Sequence, residues 1–491
     1  MSSQQKRFSC IAVDMGAGSI RVMLGVVDGE GISFTEVHRI SNEIVEHDGH
    51  DRWEIENIVR EIRVGISKAI DLSEDPPASI GVDSWGVDYV LLDEHGELVE
   101  TPVAYRDGRT EGMQEKWRTL MPDMETFRKT GINFYIFNTL FQLLSSREST
   151  AMKRTSRILF IPGYINFLLS GRAFNELTIS STSQLLAVKG NQWDQEILQN
   201  LNLSEELLGE VIPPGTRLGQ VSLPEFKDSR MESIAVCGHD TACVVAAIPV
   251  ENPNYAFISA GTWCLVGVES DQPLLSEEAL SLGLTNERGY NNTYRVLKNI
   301  VGLWLLQGLK KHFSEDITYS MMEKMTQQGG SVAQVIDPDD PGFYNPGDMK
   351  EAFDHYFVKT GQPLPDKFSA YLICAYDSLC FSFRYHIEKL ESLWGRSIEV
   401  LHLVGGGSQS DYLNQRVATI CGRKVISGPV EGAALGNIMI QAISMGRIDS
   451  LQEGRGLVKK SHSGKTYYPE KEPDGAKKRY EQFLKFKEIT T

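Results

Sequence analysis

The first apolar stretch of the chain, Cys10-Ile-Ala-Val, leads into Asp14 and a glycine-rich tetrapeptide, and a second apolar stretch follows over residues 22–27. This second stretch ends at Asp28-Gly29, a dipeptide typical of turns. A dinucleotide-binding fingerprint would need a third small residue and then a helix, but Arg21 stands at that third position. The pattern therefore predicts a β-hairpin with a tight glycine turn rather than a Rossmann unit.

Apolar residues at steps of three and four predict an amphipathic helix after the hairpin; they are Ile55, Val59, Ile62, Ile66 and Ile70. A strand beginning at Ile80 leads into a glycine-containing loop, and Tyr89–Asp93 predicts another strand. Farther along, we expect a helix over Ile158–Leu169 and a polar loop over Thr178–Ser183. Strands that alternate with helices predict an α/β fold.

A weak internal repeat divides the chain. Residues Tyr255–Val268 again predict two strands, joined by a turn at Gly261-Thr262. An apolar strand, a glycine-rich turn and a helix recur at Ile234–Ala242 and at Val400–Ser408, and we pair these two segments as equivalents. The repeat predicts two domains of similar fold, which would enclose a cleft, a preferred place for ligands.

Pro249 and Pro253 mark the expected boundary between these domains. We predict an N-terminal domain over residues 1–248, a C-terminal domain over 249–456 and a tail over 457–491. The tail is expected to form a helix that packs on the N-terminal domain, because apolar residues recur at helical spacing at Tyr480, Phe483 and Phe486.

Composition narrows the class of partner. The 491 residues carry 49 Lys and Arg against 65 Asp and Glu, a formal charge of −16, which argues against binding to nucleic acid. No stretch reaches the roughly 18 apolar residues of a membrane span. The seven cysteines form no Cys-x-x-Cys pair, so we expect buried thiols in a reducing compartment and a cytoplasmic protein.

Two glycine turns are candidate phosphate sites, because consecutive backbone N–H groups of small residues can hold an anion. The first turn is Gly16-Ala17-Gly18-Ser19, with Arg21 as a nearby cation, and the second contains Gly261 and Thr262. Each turn by itself is more typical of an ordinary β-turn. Their matching positions in the two repeats make the phosphate interpretation and the plain turn equally compatible with the sequence.

Two aspartates are candidates for chemistry. Asp240 follows a predicted strand and could take the proton from an attacking hydroxyl during phosphoryl transfer, or it could merely cap the following helix. Asp14 could hold Mg²⁺ directly or through water, since that ion prefers hard oxygen ligands and retains waters.

Two further segments could contact a ligand. Trp85 could stack on a sugar ring beside Gly86, which would let a hydroxyl approach the backbone, although a half-buried core tryptophan is the plainer alternative. The glycines Gly405, Gly406 and Gly407 follow a predicted strand and would permit close approach by a flat ligand such as adenine.

Taken together, seven motifs in order resemble the FGGY carbohydrate kinases over residues 8 to 445. They are Asp14-x-Gly-Ala-x-Ser-x-Arg21, Gly81–Asp88, Pro102–Asp107, Gly238–Ala242, Ser259–Trp263, Leu297–Gln307 and Val404–Ser408. The resemblance implies two actin-like, ribonuclease H-type domains flanking a catalytic cleft. Within the family the pattern is most similar to the kinases of L-rhamnulose, which implies ATP-dependent phosphorylation at O1 with Mg²⁺.

The resemblance also implies roles residue by residue. Asp240 would be the proton acceptor. The ketose would contact Gly86, His239, Thr241 and Asn299, and ATP would be held by Ala17, Gly18, Ser19, Ile20, Arg21, Thr262, Gln307 and Gly405. The loops themselves add Trp85 and Asp240 as candidate ketose contacts and Gly16, Gly261 and Gly406 as candidate ATP contacts. The first turn departs from the family pattern Gly-Ala-Ser-Ser-Gly-Arg, because Gly18 lacks a hydroxyl and Ile20 replaces a glycine.

Three alternatives remain open at this stage. The chain could be a sister kinase of L-fuculose or a xylulose, a nucleotide-gated actin-like binding protein, or a non-catalytic sugar sensor. In each case we expect small-molecule ligands, no nucleic acid, no membrane and a monomer or small homo-oligomer.

Overall fold

The structure is a computed structural model that describes residues 7–313, 316–330, 332–473 and 475–490. The chain forms two compact units. Unit 1 contains the residues up to Pro249 together with Glu269–Val296 and Glu431–Ser463. Unit 2 contains Val250–Val268, Leu297–Val430 and the residues from Gly464 onward.

The strands, in chain order, are β1 (Phe8–Met15), β2 (Ser19–Asp28), β3 (Gly31–Ser41), β4 (Ile44–His47), β5 (His50–Trp53), β6 (Ser79–Ser84), β7 (Tyr89–Leu92), β8 (Arg157–Phe160), β9 (Asn175–Glu176), β10 (Val211–Ile212), β11 (Thr216–Gln220), β12 (Glu232–Ala235), β13 (Tyr255–Ala260), β14 (Trp263–Ser270), β15 (Thr285–Arg288), β16 (Tyr294–Val301), β17 (Val400–Val404), β18 (Lys424–Ser427) and β19 (Thr466–Tyr467).

The α-helices are α1 (Ile55–Leu72), α2 (Met113–Arg118), α3 (Asp123–Thr130), α4 (Thr139–Ser146), α5 (Thr150–Arg154), α6 (Ile161–Ser170), α7 (Leu177–Ser180), α8 (Gln195–Leu201), α9 (Glu205–Leu208), α10 (Asp240–Ala247), α11 (Glu277–Ser281), α12 (Trp304–Phe313), α13 (Tyr319–Gln328), α14 (Met349–Lys359), α15 (Phe368–Trp394), α16 (Asp411–Cys421), α17 (Gly432–Ser444), α18 (Leu451–Ser461) and α19 (Ala476–Thr490).

Unit 1 is built on a sheet with the order β11-β12-β6-β1-β2-β3. The predicted hairpin is confirmed: β1 and β2 pair antiparallel, with Asp14 opposite Arg21. Every residue of β1 is buried. Alternate residues of β1 pack into two different hydrophobic clusters: Ile11 and Val13 belong to the first cluster, and Cys10 and Ala12 belong to the second. Burial on both faces explains why this strand is a continuous apolar run.

Helices cover both faces of this sheet. Helices α1 and α6 contribute to the first core cluster, and α10, α17 and α18 contribute to the second. Helix α17 packs so closely on α10 that a Cβ at Gly436 would lie 2.0 Å from the carbonyl oxygen of Cys243. The approach of these helices requires glycine at this position.

Unit 2 is built on a sheet in which β16, β14, β13, β17, β18 and β19 follow one another. The long helix α15 packs against α16 and the tail helix α19. Phe483 of the tail packs against Phe381 of α15, with ring centroids 6.2 Å apart. The helix predicted around Tyr480, Phe483 and Phe486 is therefore present as α19, but it packs within unit 2 rather than on the N-terminal domain as we expected.

The strand orders show that our pairing of the internal repeat was wrong in one respect. In unit 1, β6 is parallel to the first hairpin strand and β12 is parallel to β6. In unit 2, β17 and β18 hold those same two positions beside β13. The strand at Val400 is thus equivalent to β6, not to β12. The error arose because a strand, a glycine turn and a helix occur at several positions of the fold.

Local predictions also need two corrections. The predicted helix over Ile158–Leu169 begins only at Ile161, because Arg157–Phe160 pairs as β8 with β7. The predicted polar loop Thr178–Ser183 is instead helical. The Glu176 carboxylate caps its first turn, and the hydroxyl groups of Ser181, Thr182 and Ser183 donate to backbone carbonyls three residues earlier.

The seven cysteines are buried and free, as predicted. Among the described residues, none of the helices combines the length and the hydropathy that crossing a bilayer would require.

Candidate active site

Three predicted site segments meet at the carboxyl ends of β1, β6 and β12 in unit 1. The backbone N–H of Trp85 donates to the carbonyl of Met15 across 3.0 Å, and the N–H of Ser84 donates to the carbonyl of Gly238 across 2.9 Å. The turns after these three neighbouring strands are therefore tied together. The carboxyl edge of a parallel sheet is where α/β proteins bind ligands.

Asp14 lies at this edge and is only 1% exposed. Nη2 of Arg21 donates to its Oδ2 across 2.7 Å, while Nη1 of the same guanidinium donates to Glu431. Burial raises the pKa of Asp14 to about 6, an increase that Arg21 opposes and that the Asp240 and Glu431 carboxylates reinforce. Arg21 is thus already shared by two carboxylates.

The first glycine turn is closed by a hydrogen bond from the N–H of Gly16 to the carbonyl of Ser19, 2.9 Å long. Asn42 holds the turn from outside: its side chain donates to the carbonyl of Gly16 and its backbone donates to that of Gly18. Gly18 is exposed, and Ala17 between the two glycines is half-buried. The side chain of Ile20 is 2% exposed and belongs to the core, so only its backbone is available to a ligand.

Asp240 is the first residue of α10, and His239 holds the N-cap position. Oδ1 of Asp240 accepts hydrogen bonds from the backbone N–H and the hydroxyl of Thr241. The Asp240 side chain is 29% exposed, in contrast to the covered carboxylate of Asp14. Asp240 is therefore a carboxylate that a ligand can reach.

His239 is held by a buried ion pair. Its Nδ1 lies 3.1 Å from Oε2 of Glu287 and 3.1 Å from Nη2 of Arg295, and its Nε2 lies 3.5 Å from Oδ1 of Asp240. Burial raises the pKa of Glu287, but the charge of Arg295 opposes it, and the pKa is lowered to about 2. The ring thus lies between a fixed ion pair and Asp240.

Trp85 is 5% exposed and packs on Trp53, with ring centroids 4.5 Å apart. Both indole N–H groups donate to Oδ2 of the buried Asp88, at 2.9 and 2.6 Å. Burial raises the pKa of Asp88 to about 6, and these hydrogen bonds oppose the shift. Gly86 is half-buried, and a Cβ there would lie 3.3 Å from the hydroxyl of Thr182. Trp85 therefore supports the loop that presents Gly86.

Unit 2 gathers the predicted nucleotide residues at a second turn. The carbonyl of Gly261 accepts from the N–H of Leu303, and the carbonyl of Thr262 accepts from that of Gly302, so the turn is joined to the start of α12. Oγ1 of Thr262 lies 3.4 Å from the side-chain amide of Gln307 on α12. Thr262 and Gln307 are therefore neighbours, as a shared ligand would require.

The glycines after β17 lie beside the same turn. Gly405 has φ 78° and ψ −168°, a conformation that favours glycine, and a Cβ there would lie 3.3 Å from the carbonyl oxygen of Ala260. A Cβ at Gly406 would meet no atom within 4 Å.

Asn299, which the resemblance assigns to the sugar, lies half-buried on β16 in unit 2.

Sequence reasoning missed several residues that hold the unit 1 site. Asp83 lies opposite Asp14 in the β1–β6 register and is fully buried, and Asn437 of α17 donates to its Oδ2 across 2.6 Å. Burial, reinforced by Asp14, raises the pKa of Asp83 well above its usual value. Glu176 accepts the N–H of Gly238 across 2.8 Å. Parallel strands that both carry an aspartate near their ends were the only local signal for Asp83.

The unit 1 site fits an Mg²⁺ ion that takes most of its ligands from water and phosphates. No group of three or more His, Cys, Asp or Glu side chains that could enclose a metal ion occurs in the described part of the chain. Asp14 offers one carboxylate with a second, Asp83, beside it. Mg²⁺ is commonly held by one or two carboxylates together with substrate phosphates.

Known proteins resemble this chain along its whole length. Residues 9–247 match the N-terminal domain, and residues 256–445 the C-terminal domain, of the family model for FGGY carbohydrate kinases. A rhamnulokinase of Bacteroides thetaiotaomicron is 38% identical over 94% of this chain and 95% of its own, and one of Bacillus subtilis is 35% identical over 93% and 95%. The crystal structure of gluconate kinase from Lactobacillus acidophilus matches with a TM-score of 0.82 at 16% identity, over 99% of this chain and 98% of its own. This likeness confirms the predicted α/β fold.

Proposed function

Because this chain belongs to the FGGY family of carbohydrate kinases, we propose that it transfers the γ-phosphoryl group of ATP to O1 of L-rhamnulose, giving L-rhamnulose 1-phosphate in the breakdown of L-rhamnose. The observation that carries the choice of sugar is the 38% identity, over 94% of the chain, to a protein named rhamnulokinase. Xylulose and gluconate kinases share the fold at 14–17% identity and do not indicate a substrate.

Asp240 is the proposed catalytic residue. Its carboxylate takes the proton of the O1 hydroxyl as that oxygen attacks the γ-phosphorus, and the bond from the γ-phosphorus to the β–γ bridging oxygen breaks. This role is supported by its 29% exposed side chain, by its place at the start of α10 and by the fact that no Lys or Arg pairs with its carboxylate among the described residues. Positioning, rather than a shifted pKa, is what phosphoryl transfer requires of such a base.

The ketose is proposed to bind beside Asp240 in unit 1. Gly86 leaves its backbone accessible, the Nε2 edge of His239 faces Asp240, and Thr241 lies next to it. Trp85, fixed on Trp53 and Asp88, would form the wall behind Gly86. Asn299 is the remaining proposed ketose contact, and it rests on the family resemblance alone.

Each glycine turn is proposed as a nucleotide-binding segment of its own unit. In unit 2, Gly261, Thr262 and Gln307 would bind phosphate oxygens, and Gly405 and Gly406 would lie against the adenine. In unit 1, backbone N–H groups of residues 16–21 would bind the terminal phosphates, and Asp14 would hold Mg²⁺, directly or through water. When bound, Mg²⁺ neutralises the developing charge on the phosphates.

A panel of ketoses tests the proposal. L-rhamnulose, L-fuculose, D-xylulose and L-xylulose are each supplied with MgATP, and ADP release is measured by a coupled assay. We expect the highest kcat/KM with L-rhamnulose and a product whose ³¹P resonance couples to the two protons on C1. A preference for L-fuculose or a xylulose would identify a sister kinase. No stimulation of ADP release by any ketose, with sugar binding retained in calorimetry, would identify a sensor.

A further inference from the structure

Glu287 and Arg295 form a charged pair inside unit 1 to which the proposed chemistry assigns no role. Glu287 lies on β15 and is 11% exposed, while Arg295 lies on β16 and is fully buried. Oε2 of Glu287 and Nη2 of Arg295 are 2.8 Å apart. Burying two charges costs desolvation energy that their attraction often fails to recover, so such a pair is weak evidence for stability and invites another explanation.

Both members of this pair contact the same atom of His239. Nη2 of Arg295 and Oε2 of Glu287 each lie 3.1 Å from Nδ1 of the imidazole. The backbone of His239 is fixed as well, since its N–H donates to the hydroxyl of Thr178 across 3.2 Å. The ring is thus held on one edge, and its other edge, Nε2, lies 3.5 Å from Oδ1 of Asp240.

Of the two contacts to Nδ1, only the one with Arg295 has the geometry of a hydrogen bond, since Oε2 of Glu287 has no hydrogen-bond partner among the described residues. A guanidinium only donates hydrogen bonds, so Nη2 of Arg295 requires a lone pair on Nδ1. A neutral imidazole whose Nδ1 accepts has its proton on Nε2, which is the edge directed at Asp240. We infer that Glu287 is a positioning residue: it holds Arg295 as a donor to Nδ1 of His239, so that the N–H of Nε2 faces Asp240 and the ketose.

An N–H at Nε2 has two available acceptors, the carboxylate of Asp240 and an oxygen of the ketose beside the attacking hydroxyl. Either contact helps to hold the carboxylate of Asp240 and the attacking hydroxyl of the ketose in the correct relative position. Without the charge on Glu287, Arg295 loses the ion pair that holds Nη2 against Nδ1. The imidazole can then adopt the other tautomer, or its ring can flip. The kinetic part of this inference rests on the proposed function, whereas the position of the proton does not.

The proton position is tested on the ligand-free protein. In ¹⁵N-histidine-labelled protein at pH 8, long-range ¹H–¹⁵N correlation distinguishes a protonated ring nitrogen from an unprotonated one, and His239→Gln identifies the His239 signals by their loss. We expect a protonated Nε2 and an unprotonated Nδ1 in the wild type, and a mixture of tautomers in Glu287→Gln. A proton on Nδ1 in the wild type, alone or together with one on Nε2, would overturn the inference.

A double-mutant cycle tests whether Glu287 acts through His239. Glu287→Gln, His239→Gln and the double variant are compared for kcat/KM with L-rhamnulose and for KM with MgATP. We expect Glu287→Gln to lower kcat/KM for the ketose on the order of 10-fold, the cost of one charge-assisted hydrogen bond, with KM for MgATP unchanged. In the His239→Gln background the same substitution should have no further effect. Additive losses would mean that Glu287 does not act through the imidazole.

Two further variants serve as controls. Glu277→Gln removes an acid that is 84% exposed on α11, so it should leave kcat/KM for L-rhamnulose and the tautomer of His239 as they are in the wild type. Arg295→Lys keeps a cation but replaces the forked guanidinium donor. It is the alternative test if Glu287→Gln fails to fold. We expect it to change the tautomer of His239 and kcat/KM for the ketose in the same direction as Glu287→Gln would. If no ketose is phosphorylated, the proposed function fails while the resonance experiment still decides the position of the proton.

Discussion

Arg21 donates from Nη2 to Oδ2 of Asp14 across 2.7 Å, and the two residues are opposite each other in the first hairpin. Their side chains lie on the same face of the sheet because directly opposed residues of antiparallel strands do so. The guanidinium also reaches Glu431, which immediately precedes α17. The carboxylate proposed to hold the metal therefore has its own counter-charge before any ligand binds.

Replacing Arg21 by glutamine should weaken the use of Mg²⁺. Without the cation, burial of Asp14 is unopposed and its pKa rises above the value of about 6 that it has now, so that protons compete with the metal at neutral pH. We expect the KM for MgATP to rise on the order of 10-fold at pH 6.5 and by less at pH 8.5. Steady-state kinetics at both pH values measure the effect.

A neighbouring arginine offers the control. Arg39 pairs with Arg21 across β2 and β3, its side chain is 47% exposed, and it contacts Glu36. Arg39→Gln makes the same change of charge on the surface and should leave KM for MgATP unaltered. If the two substitutions raise the KM for MgATP equally, the effect comes from the loss of one positive charge and not from the contact of Arg21 with Asp14.

Asp240→Asn should abolish most of the turnover while leaving the site intact. The amide keeps the size of the side chain but cannot take the hydroxyl proton, so kcat should fall on the order of 10²-fold or more. The KM of the ketose should stay within a few-fold. Asp228→Asn, at an exposed position of unit 1, is the matched control. Turnover of Asp240→Asn close to that of the wild type would refute the role of general base.

The buried Asp88 should make the protein less stable as the pH rises. Its pKa is about 6 in the folded chain against about 4 for an ordinary aspartate, so the folded state holds the proton more tightly and stability is lost as the pH rises from 4 through 6. The loss is about 3 kcal/mol if this group acts alone.

Urea unfolding between pH 4 and 7.5 measures this dependence. In Asp88→Asn the slope due to this carboxyl should disappear, while Asp228→Asn should keep the slope of the wild type. Because other buried acids also titrate, the difference between the curves is the informative quantity. If stability depends on pH in the same way in the wild type and in Asp88→Asn, Asp88 is not the group that binds the proton in the folded state.

Gly405 and Gly406 should respond differently to alanine. Gly405→Ala forces an unfavourable backbone conformation and a tight contact with Ala260, at a cost of about 1–3 kcal/mol of stability. Gly406→Ala places its methyl group in open space and should not change stability, but it should raise the KM for ATP if adenine lies against this residue. Thermal unfolding and ATP kinetics on both variants separate the two roles. A stable Gly405→Ala, or a Gly406→Ala with normal KM for ATP, would contradict the respective assignment.

The sequence by itself determined the elements and the turns. The apolar runs on either side of residues 16–19 predicted the β1–β2 hairpin, and the spacing of three and four from Ile55 predicted α1, because side-chain periodicity is a local property. Asp14 and Asp240 were found because they stand near glycines at strand ends, whereas His239 was assigned only through the family resemblance. Thr178–Ser183 was mistaken for a loop because most of its hydroxyl groups are satisfied within a helical turn that polarity alone does not indicate.

Only the tertiary structure decided what surrounds those residues. Glu431 reaches Arg21 from 410 positions away, and Asn437 reaches Asp83 from 354 positions away, because α17 returns to pack on β1 and β6. Glu287 and Arg295 reach His239 from strands that follow the boundary predicted from the prolines. Such partners follow from burial and helix–sheet packing over the whole chain, which no short stretch of sequence specifies, whereas strands, helices and glycine turns follow from interactions between near neighbours.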